Sequence, residues 1–182
     1  MLSSPKQRQS GAPTGQRRMG IGMIATAWLI VLGLLTMAFS DWLREQENPN
    51  RQPRETVAAD GTREVVLTRN RQGHYVATGA IDGRAVRFLL DTGATTVSVP
   101  AALAESLALP VGAPVTARTA NGLITTYQTR LGEIRLGNIM LRDVLASINP
   151  YMASDSVLLG MSFLKQVEFA QRGNTLTLRQ LP

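Results

Sequence analysis

The stretch "RFLLDTGATTVSVP", Arg87 to Pro100, sets one carboxyl, Asp91, between two runs of apolar and β-branched residues and follows it with Thr92-Gly93. Acid–base chemistry is one reason to place a carboxyl there, and a turn aspartate capping its own loop is the other. Few other side chains compete for a chemical role. Gly160-Met161-Ser162-Phe163-Leu164 begins like a serine-hydrolase elbow but lacks the second glycine. His74 is the only histidine, stands before Tyr75 at a strand-like run, and reads as an exposed strand residue rather than a base. One histidine with scattered carboxylates has no metal-ligand spacing, so no metal site is expected. Asp143 and Asp155 read as loop or strand-end residues. Cysteine is absent, which removes thiol nucleophiles, thiolate metal sites and disulfides, and leaves the redox compartment undecided.

Short β-rich runs surround these residues: "EVVLTRN", "HYVATGAID", "RAVRFLLD", "TTVSVP", "APVTARTA", "LITTYQTRLGEIRL", "IMLRDVLASI", "SVLLG", "VEFA" and "TLTLRQ". Asp82-Gly83, Asn121-Gly122 and Gly137-Asn138 tolerate positive φ between such runs, so each is expected to close a hairpin. Short helices are expected over Ala101–Leu107, after Pro100, and over Met161–Gln166, after Gly160. Asp91 then ends one strand and enters a tight turn before the next. The fold class is all-β, with no internal repeat.

A chain of 182 residues builds one modest domain. Residues 19–39, "MGIGMIATAWLIVLGLLTMAF", carry no charge and are long enough as a helix to cross a hydrocarbon core of roughly 30 Å, so a transmembrane helix is expected there. Residues 1–18 hold Lys6, Arg8, Arg17 and Arg18 without an acid, which favours a cytoplasmic N-terminus and an exported remainder, periplasmic in a Gram-negative cell. A cleaved signal peptide is the alternative, with Thr36-Met37-Ala38 as its small-x-small site, against which stand the long basic region and long apolar run. The net charge of +6 divides into +4 for the tail and +2 for the remainder, 15 basic against 13 acidic. The basic excess is thus largely topological, and no basic patch with interleaved aromatics points to nucleic acid. Residues 40–63 are polar, contain Pro49 and Pro53, and read as a stalk, which leaves 64–182 as the folded domain.

With these elements in place, apolar-apolar-Asp91-Thr92-Gly93-Ala94 followed by Thr95-Thr96-Val97 resembles the active-site loop of retropepsin-like aspartic proteases, as in the bacterial membrane-anchored single-lobe members. "IDGRAVRFLLD" resembles the hairpin leading into it. "VLLGMSFL", with Leu158, Leu159 and Gly160, resembles the segment and short helix that pack behind the loop. The resemblance covers roughly two thirds of the chain, from near Glu64 to its end, and implies a single-lobe closed β-barrel.

Its chemical implications are specific. Aspartic proteases use two carboxyls that share one proton, one acting as base towards water and the other as acid towards the substrate carbonyl. Only one Asp-Thr-Gly is present, so the resemblance implies a homodimer in which Asp91 of each copy supplies half of the dyad about a two-fold axis. It further implies that Thr92 reaches across that axis, that Gly93 permits close backbone approach and that Ala94 packs. "TARTANGLITTYQT" is the candidate flap, with Ala120, Asn121, Gly122 and Leu123 at its tip; Tyr127 faces either substrate or solvent. The implied activity is endopeptidase cleavage of a protein or peptide without metal or organic cofactor. A peptide-binding module on the same fold that does not cut is the reading from another class.

Overall fold

Alternation of apolar and polar residues produces the strands, and their closure into a ring produces the lobe. In the computed structural model, which describes residues 14–119 and 122–182, the chain divides after Leu43 into two units. The helix α1 runs Thr14–Glu47 and is the one described helix long and apolar enough to cross a membrane. Its described apolar side chains from Trp28 to Phe39 are exposed. Most of the basic tail, residues 1–13, lies outside the described residues.

In the second unit β3 (Val76–Ile81) and β4 (Arg84–Leu90) form a hairpin. The other ring strands are β5 (Val97–Pro100), β7 (Gly122–Leu136), β8 (Ile139–Asn149) and β9 (Ser156–Leu159). They hydrogen-bond in the order β3-β4-β9-β5-β8-β7, and β7 returns to β3 through Ala80–Arg135 and Ile81–Ile134. The expected closed, single-lobe β-barrel is therefore present as a ring of six strands. Two of its pairings are parallel, β4 with β9 and β5 with β8, because the chain crosses over between them instead of turning back. Closure needs a small residue where β3 meets β7: a β-carbon on Gly79 would lie 2.3 Å from the Arg135 carbonyl oxygen and 2.6 Å from the Phe88 ring. β6 (Pro114–Thr119) pairs only with the first part of β7 and projects from the ring as a hairpin arm.

A second sheet, β1 (Arg54–Val57), β2 (Arg63–Thr68), β11 (Thr175–Gln180) and β10 (Glu168–Arg172), has the order β1-β2-β11-β10 and is antiparallel throughout. Val65 and Leu67 of β2 and Leu176 and Leu178 of β11 point from one face into the same core as Phe88, Leu131, Leu159 and Phe163. Each such fully buried side chain contributes about 1.5–3 kcal/mol by removal from water. The expected hairpins at Asp82-Gly83 and Gly137-Asn138 form, with Asp82, Gly83 and Gly137 at positive φ. The expected helices form as α2 (Ala101–Ser106) and α3 (Met161–Leu164).

The stalk assigned to residues 40–63 requires correction. From Arg44 onward the chain belongs to the folded unit. Asn50 is buried; its side chain accepts from the Thr68 N–H at 2.6 Å and donates to the carbonyls of Thr68 and Val76 at 2.9 and 2.7 Å. Asn48 donates to the Thr78 hydroxyl, and β1 extends the second sheet. The segment looks like a linker because its anchoring is polar: asparagine amides stand in for ladder hydrogen bonds, and β1 is a four-residue edge with every residue exposed.

Candidate active site

The loop after β4 is held from three directions. The Asp91 N–H donates to the Leu159 carbonyl at 3.3 Å, and the Asp91 carbonyl accepts from the Ala94 N–H at 3.2 Å. The Asp91 carboxylate accepts the Gly93 N–H at Oδ1, at 2.8 Å, which closes the turn and fixes the carboxyl plane. Asp91 therefore does cap its own loop. Its other carboxylate oxygen has no partner among the described residues. The side chain is half-buried rather than sunk in the core; the apolar residues flanking it, Phe88 and Val97, carry the burial.

Behind the loop, Gly160 allows contact that no other residue permits: a β-carbon there would lie 2.3 Å from the Thr96 carbonyl oxygen and 2.7 Å from that of Ala94. The first turn of α3 presents its N–H groups to the same loop, Met161 to the Ala94 carbonyl at 2.8 Å and Ser162 to that of Thr95 at 3.1 Å. Leu159 is fully buried in the core, and Leu158 lies beside Leu89 and Ser98. Gly160 and the first turn of α3 thus lie against the 94–96 part of the loop.

Sequence reasoning missed the part played by Ser162. Its hydroxyl donates to the Leu145 carbonyl at 2.7 Å and accepts the Val97 N–H at 2.9 Å, so it ties α3 to β8 and β5. Both bonds occupy the oxygen as a structural clamp, not as a nucleophile. The signal was its place two residues after Gly160, inside the segment already singled out.

The loop forms part of a cleft of about 680 Å³, with Asp91, Gly93 and Ala94 on one side, Ser147 and Asn149 of β8 on another and the β6–β7 arm on a third. The arm contributes Val115, Ala117, Ile124, Thr126 and Gln128. Tyr127 is not among the lining residues and, by strand alternation, faces away from the cleft. The last pair of the arm is Thr119–Gly122, one residue earlier than a turn centred on Asn121-Gly122, and Gly122 has φ +111°. Ala120 and Asn121 lie outside the described residues, and Leu123 is exposed. Thr92 and Gly93 are exposed, and the Thr92 hydroxyl has no partner among the described residues.

Among the described residues lining the cleft, Asp91 is the one carboxylate and Arg118 the one cation. Asp143 and Asp155 lie elsewhere, paired with Arg130 and Arg87. His74 is exposed in the turn before β3, its N–H bonded to Asn70 Oδ1, not within a strand. No three described His, Asp or Glu side chains come together as a metal site would require.

A six-stranded ring with an Asp-Thr-Gly turn seated on a glycine and a short helix, and a hairpin arm beside the cleft, defines the single-lobe aspartic-protease architecture. The comparisons agree. The family described as gag-polyprotein putative aspartyl protease matches residues 77–166. A Sinorhizobium protein described as an uncharacterized protein in the cobV 5′ region is 33% identical over 183 residues, covering 93% of this chain and 78% of that protein. A crystal structure of a retropepsin-like aspartic protease from Rickettsia conorii shares the fold, with a TM-score of 0.58 at 22% identity over 70% of this chain and 96% of that one. The chain belongs to the retropepsin-like aspartic protease family.

Proposed function

We propose that this chain is a membrane-anchored aspartic endopeptidase whose two catalytic carboxyls are Asp91 of one copy and Asp91 of a second. The observation that carries the reading is the cleft: it holds one carboxylate, oriented by the Gly93 N–H and open to the cleft at its second oxygen, with no other acid among its described lining residues. Shared-proton chemistry needs two such groups side by side, and a second copy is the source that leaves each loop as it stands.

In this reading the two carboxyls hold a water between them. The ionised one removes a proton as the water oxygen attacks the scissile carbonyl carbon, while the protonated one donates to the carbonyl oxygen. Proton transfer in the reverse sense expels the amine. The β6–β7 arm closes over an extended peptide, excluding water and offering backbone groups to it. In the same reading Thr92, which is exposed beside Asp91, bonds across the two-fold axis. α1 anchors the enzyme, with the N-terminus cytoplasmic and the domain on the opposite side.

Asp91→Asn tests the reading. The substitution keeps shape and the Gly93 bond but removes the titrating group, so peptide cleavage should fall by about 10²–10⁴-fold while thermal unfolding is unchanged. Peptide binding that survives without cleavage in both wild type and variant would instead identify a binding module. Full cleavage in the variant would end the protease reading.

A further inference from the structure

Alternation along β5 and β8 turns Val97, Val99, Ala146 and Ile148 into the core and leaves Ser98 and Ser147 on the opposite face, towards the cleft. Register then sets side chains from four strands in one row. Leu158 of β9 stands opposite Ser98 of β5, Ser98 opposite Ser147 of β8, and Ser147 opposite Gln128 of β7, with neighbouring strands about 4.8 Å apart. All four line the cleft. The row starts beside the Asp91 loop, since Leu158 also pairs with Leu89, two residues before Asp91. It therefore leads from an apolar side chain near the carboxyl to three that form hydrogen bonds.

Much of the hydrogen-bonding capacity of this row is unspent. Ser98 is buried, and its hydroxyl donates to the Met152 sulfur at 3.3 Å, a weak acceptor. Ser147 meets the Thr96 hydroxyl at 3.3 Å and the Val97 carbonyl at 3.5 Å, both long for hydroxyl bonds. The Gln128 amide has no partner among the described residues. Asn149, the next residue of β8 on this face, uses only Oδ1, which accepts the Tyr151 N–H at 2.9 Å. Donors and acceptors thus stand together, and none is charged. Arg118 shares its rung with Leu123, which does not line the cleft, so alternation sets its side chain on the other face of the arm.

We propose that this row is a specificity subsite for a substrate side chain ending in a carboxamide, asparagine or glutamine, close to the scissile bond. A carboxamide carries an acceptor and two donors in one plane. Its oxygen accepts from the Asn149 amide, and its N–H groups donate to the Gln128 carbonyl oxygen and to a serine oxygen of the row. A carboxylate or ammonium would enter without a counter-charge, and an apolar side chain would leave the row unpaired. The apolar residues of the arm, Val115, Ala117 and Ile124, supply contact area, and the polar row supplies the discrimination.

The inference rests on the endopeptidase reading for what the subsite serves, and its test separates the two. Full-length protein in detergent micelles is incubated with a library of random peptides, and the cut positions are read by mass spectrometry. Asparagine and glutamine should exceed leucine roughly tenfold or more at one position beside the cut. Gln128→Leu and Ser147→Ala each remove a member of the row. In each, the ratio of kcat/KM for an asparagine peptide to that for its leucine counterpart should fall roughly fivefold or more. The ratio does not depend on the amount of folded enzyme, and Gln128 is exposed, so its replacement leaves the fold intact. The same library is captured on full-length Asp91→Asn, which keeps the cleft and removes the titrating carboxyl. Cleavage without this preference, or a preference unmoved in both variants, overturns the subsite and leaves the protease reading standing. Selective capture of asparagine and glutamine peptides with no cleavage by wild type supports the subsite and ends the protease reading. Neither cleavage nor selective capture overturns both.

Discussion

Gly160 and Thr96 meet so closely that a β-carbon on Gly160 would lie 2.3 Å from the Thr96 carbonyl oxygen. The obstacle is backbone, which cannot swing aside as a side chain would. Gly160→Ala should therefore push the 91–96 loop off α3, with a loss of about 1–3 kcal/mol in urea unfolding. Cleavage should fall further than the loss of folded protein explains, since Asp91 itself hangs from Leu159 in the same segment. Unaltered stability and turnover would show that the loop does not depend on this contact.

Ser162 gives the complementary case. Ser162→Ala orphans the Val97 N–H and loses the bond to Leu145, which should cost about 1–3 kcal/mol. Turnover per folded molecule should stay within a few-fold of wild type, because the hydroxyl takes no part in bond cleavage. A loss as deep as that of Asp91→Asn, at normal stability, would make Ser162 chemically active.

Mixing experiments address the split site directly. With one part wild type to nine parts Asp91→Asn and free exchange, activity per wild-type chain should fall to about a tenth, because only dimers of two wild-type chains are competent. Dilution with inert protein gives no such loss. Activity strictly proportional to wild-type chain, despite demonstrated mixed dimers, places catalysis within one subunit.

Acid stability should depend on Glu133. The hydrogen bond from Arg135 holds its carboxyl below the ordinary value of 4.5, with the charges of Arg135 and Arg142 acting in the same direction. A carboxyl lowered in the folded state stabilises fully above its unfolded value and loses that contribution as pH falls through the folded one. Glu133→Gln should therefore lower the urea midpoint slightly at pH 7, and the difference should begin to shrink as pH falls below 4.5 and vanish only in stronger acid, once the folded carboxyl is also protonated. An equal difference at both pH values would refer the effect to packing. The step is small because the group is solvent-screened.

Topology is checked by fractionation. Full-length protein should sediment with membranes and resist salt extraction, and a reporter fused after Pro182 should behave as exported. Recovery of a soluble chain trimmed near Ala38 would support a signal peptide instead.

Local chemistry was legible in the sequence wherever it was carried by neighbouring residues. The Asp91-Thr92-Gly93 turn, the hairpins at Asp82-Gly83 and Gly137-Asn138, and the apolar alternation of β7 and β8 depend on residue type and periods of two, which a linear reading detects. The long apolar helix was legible for the same reason, as was the family resemblance built on these stretches. What the tertiary structure alone decided involves partners far apart in the chain. Ring closure between β3 and β7 and the clamp at Ser162 join segments whose spacing carries no period, whereas the segment at Gly160 is expected behind the loop through the family resemblance and takes from the structure only its contacts with Ala94 and Thr96. Residues 44–63 were misread because asparagine side chains substituted for ladder bonds from outside any strand pattern. The row of Ser98, Ser147 and Gln128 likewise emerged only once β8 was seen to lie between β5 and β7, since sharing a rung is a property of the sheet and not of the strand.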